Sequence, residues 1–243
     1  MTARWGAELV VDAEEIGRRW RKDFQRDGIF IPYGGDRVGP TEVQPGLRHR
    51  GYVLVVARFV PENTIPEFFD AVDRIADRHA VVIVGSSGYG GEFDQRAETL
   101  ARRHPNVLAY GHVRDDAVLL SLWQHAGAYF HGHSVGGTNP ALVQAMAAGA
   151  PVVARDTAYT REVLRDNAVF VGPDADEIAA ALDALLSDTE LQDRLSDGGR
   201  QRAEQAYDWQ QVCADYEAAL RGLIAAGARP EPVPAEIEDP VRA

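Results

Sequence analysis

The segment HGHSVGGTNPALVQAMAAGAPVV, residues 131–153, carries the residue types best suited to holding a ligand. Gly136 and Gly137 permit positive φ and a close approach of backbone to a bound group. Thr138 and Asn139 have helix-capping side chains, and Pro140 suits a first helical turn. The free N–H groups and positive dipole end of such a terminus receive an anion, for example a diphosphate. An ordinary capped turn between strand and helix explains the same residues equally well. Arg58 is the second element. It follows the apolar run YVLVVA, and a guanidinium at a strand end suits phosphate oxygens through its bidentate fork. Taken alone, Arg58 is better explained by a surface ion pair with Glu62. Taken with the glycine loop it points to a ligand, because both would stand on one rim of a sheet.

Other constellations carry less. His131 and His133 alternate as on a strand, but no third ligand stands at a metal-binding spacing, so they are read as polar lining of a pocket or of the core, and no metal is expected. GSSGYGG after AVVIV has the order GxxGxG rather than GxGxxG, and no acidic residue ends a following strand at the right distance, which argues against a dinucleotide loop. Ser134 lies in HSVGG, not in a nucleophile elbow, so hydrolase chemistry is not expected.

The elements that must position these residues alternate. GYVLVVARF, AVVIVG, NVLAYG, AYFHG, APVVAR and AVFVG read as buried strands, the first near 52–57, and helical patterns separate them. IPEFFDAVDRIADRH, for example, places Ile65, Phe68, Phe69, Val72, Ile75 and Ala76 at helical spacing. About six such strands predict an α/β fold, a doubly wound Rossmann-like parallel sheet. Ligands of these sheets sit beyond the carboxyl ends of the strands. The positions to inspect are therefore Arg58, Gly85–Gly90, Gly111–Arg114, His131–Asn139 and Arg155–Thr157. Trp123 and Trp209 are expected to pack against the core.

The remaining organisation is uneven. Residues 1–36 read as strand, helix, strand, with Ile16, Trp20 and Phe24 in a narrow stripe that one helix and two short strands cannot bury unaided. They look like the last unit of another domain. Residues 37–50 form a Gly- and Pro-rich linker, 51–228 the main lobe, and 229–243 a disordered tail rich in Pro and acid. The 243 residues carry a formal net charge of −12, which argues against a nucleic-acid partner. Residues 1–50 are near neutral, with nine basic and eight acidic side chains. One cysteine, Cys213, allows no intrachain disulfide and fits a reducing cytosol. No apolar run has the length of a membrane span. GRRWRK offers Arg18, Arg19, Arg21 and Lys22 to an anionic lipid surface, although a solvated basic face explains it more plainly.

VVARFVPENTI, VVIVG, AYGHVRDD, HGHSVGGTNPALVQAMAAGAPVVA and YDWQQVCADYEAAL, in that order, resemble the donor-binding C-terminal lobe of a family 4 glycosyltransferase with the GT-B fold. ARFVPEN and HGHSVGGTNP are similar to the bacterial rhamnosyltransferases of polysaccharide synthesis. The resemblance implies transfer of a sugar, rhamnose in the narrower subgroup, from a nucleotide diphosphate to a saccharide or lipid-linked acceptor hydroxyl. The donor nucleotide would be dTDP or UDP, with no further cofactor and no metal. Arg58 would contact the diphosphate as the catalytic group. Gly85 would stand among the donor-binding residues, Gly136, Gly137, Thr138 and Asn139 would hold pyrophosphate and sugar, His131, His133 and Ser134 would line the sugar pocket, and the backbone at Val113 would meet the base. Gln144 stands where the family usually has the Glu that holds the ribose. An amide offers one acceptor and one donor where a carboxylate accepts twice, which implies donor binding weaker by about 1–2 kcal/mol. The broader family's Lys is Asn63 here, and its first Glu is Gly136. The acceptor-binding lobe would be supplied by a longer chain or a separate polypeptide, and the location implied is the cytoplasm, at the inner face of the membrane. A non-catalytic nucleotide-sugar-binding module, or an inactive truncated lobe, is the alternative function.

Overall fold

The computed structural model describes residues 8–225. The expected tail lies outside them. The chain begins with β1 (Val10–Val11), α1 (Glu14–Phe24) and β2 (Ile29–Phe30), in which β1 and β2 pair in parallel, Val10 opposite Ile29 and Val11 opposite Phe30. It continues through β3 (Tyr52–Val56), a 3-10 turn at Pro61–Asn63, α2 (Ile65–Ile75), β4 (Ala80–Val84), α3 (Glu92–Arg103), β5 (Val107–Gly111), α4 (Asp116–His125) and β6 (Ala128–His131). The second half is α5 (Pro140–Ala148), β7 (Val152–Arg155), α6 (Ala158–Leu164), β8 (Ala168–Val171), α7 (Ala175–Ser187), α8 (Thr189–Ala206) and α9 (Trp209–Ala225).

β3 to β8 form one parallel sheet of six strands in the order β5-β4-β3-β6-β7-β8. The chain winds outward from β3 to β5, returns to the middle at β6, and winds outward again to β8. The point of reversal, between β3 and β6, is where such sheets leave a crevice. The apolar runs follow from burial on both faces. Val53, Val55, Val81, Ile83 and Phe130 point to one side, against α2, α3 and α7; Tyr52, Leu54, Val82, Val84 and Tyr129 point to the other, against α4, α5 and α6. Alternation of side chains along each strand produces this division. Phe68 of α2 stacks on Phe130, with ring centroids 4.9 Å apart.

The linker and the residues just before it are tied down. The Gln124 amide carbonyl accepts from the Thr41 N–H at 2.7 Å, Gln44 donates to the Ser121 hydroxyl at 3.0 Å, and Gly35 donates to the Tyr207 carbonyl at 2.8 Å. The Gln144 amide pairs with both backbone groups of Asp36, accepting from its N–H at 3.0 Å and donating to its carbonyl at 3.2 Å. The first unit is held by polar contacts as well. The Glu162 carboxylate caps α1 by accepting from the Glu14 and Glu15 N–H groups at 2.7 and 3.0 Å. Thr138 donates its N–H, at 3.2 Å, and its hydroxyl to the Asp12 carbonyl. Trp123 is buried as expected, whereas Trp209 is 40% exposed and rides over Gly34, where a Cβ would lie 2.5 Å from its ring. Among the described residues no helix is long and apolar enough to cross a membrane.

Candidate functional site

A cleft of about 860 Å³ opens at the carboxyl ends of β3, β4, β5 and β6. Arg58, Gly85, Val113, His133, Gly136 and Asn139, each expected from the sequence, all line it. They come from four separate strand exits, and the parallel sheet brings those exits to one rim. Gly85 has φ +140° and leaves no room for a side chain, since a Cβ there would meet the Ala57 carbonyl oxygen at 1.8 Å. Only glycine lets the end of β4 press against the exit of β3.

Arg58 is exposed on the cleft, and its guanidinium makes no hydrogen bond or ion pair with any described residue. The alternative pairing with Glu62 does not form. The buried Asn63 donates its amide to the Arg58 carbonyl at 2.9 Å, so it braces the turn that carries the guanidinium.

The glycine loop opens toward the cleft in a particular way. Asn139 caps α5, its Oδ1 accepting from the Ala141 and Leu142 N–H groups at 2.9 and 3.4 Å. The first-turn donors expected to receive an anion are therefore already occupied. The N–H groups of Gly136 and Gly137 have no acceptor among the described residues; that of Gly136, which lines the cleft, is left for a ligand beside the dipole of α5. Gly136 has φ +120° and open space where a Cβ would be. Gly137 instead packs on Asp12, whose Oδ1 would lie 2.1 Å from an added Cβ. Burial pushes the Asp12 carboxyl up from its ordinary value. An anion therefore has room and favourable charge on the Gly136–Arg58 side, not on the Gly137–Asp12 side.

Five expected site residues do not line the cleft. His131 is buried under His133, the rings stacked 4.3 Å apart at 9°. Ser134 donates both its N–H and its hydroxyl to the Glu62 carbonyl, at 2.9 and 2.8 Å. Gly137 and Thr138 face Asp12, as described, and the Gln144 side chain is engaged with Asp36. An amide can serve both backbone groups of Asp36; a carboxylate could serve only the N–H. Burial foremost, and the neighbouring His133, push the His131 imidazole well below its ordinary value. Burial, then the Arg58 charge, push His133 down to about 4, so it is neutral in the physiological range. Ser86 and His112, which fall within the expected strand exits Gly85–Gly90 and Gly111–Arg114, also line the cleft; Asp12 touches its loop, and no spacing in the sequence points to that residue. Among the described residues no group of three His, Cys, Asp or Glu side chains converges as a metal site would require.

Residues 44–202 match the family described as glycosyl transferases group 1. The chain belongs to that family. Over 235 residues it is 28% identical to the phosphatidyl-myo-inositol mannosyltransferase of Mycobacterium tuberculosis, which covers 90% of this chain and 61% of that enzyme. Over 227 residues it is 30% identical to the corresponding enzyme of Mycolicibacterium smegmatis, covering 89% and 58%. The chain thus spans about three fifths of the length of these relatives. Among solved structures it superposes on Anabaena HepE in complex with UDP and glucose, with a TM-score of 0.75 and 18% identity over 92% of this chain and 64% of that one. It also superposes on sucrose-phosphate synthase from Thermosynechococcus elongatus, with a TM-score of 0.76 and 21% identity over 89% and 58%. These glycosyltransferase structures carry the fold expected from the sequence, and the six-stranded sheet is a GT-B lobe. The relatives reported are named as mannosyltransferases, so the narrower likeness to rhamnosyltransferases rests on the two motif strings alone.

Proposed function

We propose that this chain supplies the donor-binding lobe of a glycosyltransferase that moves a hexosyl unit from a nucleoside-diphosphate sugar to a hydroxyl of a saccharide or lipid-linked acceptor. The observation that carries the reading is the unpaired Arg58 guanidinium on the cleft that Gly136 also lines, with the free Gly136 N–H at the same sheet reversal. Transfer breaks the bond between the anomeric carbon and the diphosphate, and negative charge grows on the departing phosphate oxygens. A fixed cation and preorganised N–H donors lower the free energy of that charge more than of the ground state. The base would lie toward Val113 at the exit of β5, and the sugar toward the exit of β6. Positive charge is local here, and the net charge of −12 does not report it.

The sugar is the finer question. The relatives' names favour mannose, and the motif strings favour rhamnose; dTDP and UDP are the nucleotides the resemblance implies. The UDP in the HepE complex supports a uridine nucleotide as the first probe. The acceptor would be held by a second lobe, in the same chain or in a partner, seated on β1, β2 and the exposed stripe of α9 that carries Leu220 and Ile224. A lipid-linked acceptor is supported by the relatives' names, and with it a place at the inner membrane face.

Titration of Arg58→Ala tests the reading. UDP should bind at least about tenfold more weakly than to the parent chain, the loss typical of a hydrogen bond to a charged group, while uridine should bind as before. Equal losses for UDP and uridine would mean that Arg58 does not meet phosphate.

A further inference from the structure

His133 stands on the cleft with one ring nitrogen sealed and the other open. Its Nδ1 is fully buried and has no hydrogen-bond partner, and no described group bonds its Nε2 either. Since Nε2 is not among the buried orphans, it is the nitrogen that reaches the cleft. A neutral imidazole carries one N–H and one bare lone pair. Burying the N–H without an acceptor is the costlier choice, because orphaned buried donors are rarer than under-used acceptors. The proton therefore belongs on Nε2, and the ring offers a donor to whatever fills the cleft.

The ring is also held in place before a ligand arrives. It stacks on His131 at 4.3 Å and 9°, and His131 is itself fully buried with its Nδ1 3.3 Å from the Tyr129 hydroxyl. Gly132 between them has no room for a side chain, since a Cβ would lie 2.3 Å from the Asn63 carbonyl oxygen. The Gly132 carbonyl accepts from the Thr64 hydroxyl at 2.6 Å, which pins the exit of β6 to the turn after β3. Arg58 lies close enough to oppose a positive charge on His133, and burial opposes it more strongly.

We infer that His133 is a ligand-contacting residue, a neutral Nε2–H donor that binds a phosphate oxygen alongside Arg58. The pair would divide the work, with Arg58 supplying charge and His133 supplying direction. A second cation at this point would repel the first, whereas an uncharged donor adds a hydrogen bond without that cost. The inference rests on the cleft being a nucleoside-diphosphate site, as proposed above, and goes beyond it in naming the tautomer and the atom contacted.

Two-bond ¹H–¹⁵N correlation of the histidine rings in the parent chain tests it, with His133 identified by the signals that vanish in His133→Gln. The expected result is a protonated Nε2 and bare Nδ1, with Nε2 shifting as UDP saturates the cleft and staying put with uridine. A protonated Nδ1, or an Nε2 signal unmoved in a chain that calorimetry shows to be UDP-bound, would overturn it. Side-chain exchange gives an independent reading. His133→Gln, whose amide nitrogen falls near Nε2, should keep UDP affinity within about threefold, while His133→Asn and His133→Leu lose about tenfold, the usual worth of one such bond. Equal losses in the Gln and Leu variants would mean that the ring only packs. If no UDP, GDP or dTDP binds the folded parent chain, the donor-site reading itself fails, and this inference with it.

Discussion

The six-stranded lobe and the β1–α1–β2 unit are both built of parallel strands joined by helices, yet they bury their apolar side chains to very different extents. In the lobe the central strands are covered on both faces, and Val53, Leu54, Val81, Val82 and Phe130 have lost essentially all contact with solvent. In the small unit Val10, Ile29 and Phe30 remain 37–39% exposed, and α1 buries no residue completely. Trp20 and Phe24 cover each other, 4.9 Å apart, instead of entering a core. A two-stranded sheet is marginal by itself. Val11, Ala13 and Ile31 in and beside it are buried, and polar contacts add to them: the Glu162 cap on α1 and the Thr138 bonds to Asp12. One of those anchors belongs to the glycine loop. The loop therefore serves the cleft through Gly136 and the small unit through Gly137 and Thr138. α9 resembles the small unit in this respect, since only Val212 is buried and Leu220 and Ile224 face solvent.

The contrast is sharpest for Phe68→Ala. The side chain is fully buried and stacked on Phe130, so the lobe should lose about 3–5 kcal/mol in a denaturant titration. A loss below ~1 kcal/mol would break the distinction. Glu162→Ala should cost about 1–2 kcal/mol, the range for a lost N-cap. Hydrogen exchange should locate that loss: α1 opens, and β3 to β6 keep their protection. Uniform loosening of both regions would show that they fold as one unit.

Gln144→Glu has a smaller expected effect. It removes the bond to the Asp36 carbonyl, at about 0.5–1 kcal/mol, and leaves UDP affinity unchanged, because the side chain is turned to Asp36. Tighter UDP binding would instead place position 144 at the ribose, as the family resemblance implies. Leu220→Ser is the smallest. A solvent-facing position on α9 should change stability by less than about 0.5 kcal/mol. A larger loss would mean that the stripe is already covered in solution.

The fold was legible because each buried strand spells itself as a run of β-branched residues and each covering helix shows its spacing. Boundaries were less so: the first long strand ends at Val56, and the helix expected through His79 stops at Ile75, since neither end is marked by a breaker. Arg58 and Gly136 were legible as cleft residues because a strand exit in a parallel sheet has a known destination. The direction of Ser134, Thr138 and Gln144 was not. Their partners are backbone groups of Glu62, Asp12 and Asp36, which lie 72, 126 and 108 positions away along the chain. Local spacing carries no record of such partners. The occupied cap at Asn139 was half visible: its residue type was recognised, but not that its own oxygen would take the donors meant for an anion.

We propose that the crevice between β3 and β6 holds a nucleoside diphosphate. Calorimetric titration of the folded chain with UDP, GDP and dTDP, paired with hydrogen exchange of the bound form, tests it most directly. One of the diphosphates should bind while its nucleoside binds far more weakly, with protection gained at residues 111–114 and 133–142 and none along α9. Binding by none of the three, or protection confined to the β1–α1–β2 unit, would contradict it.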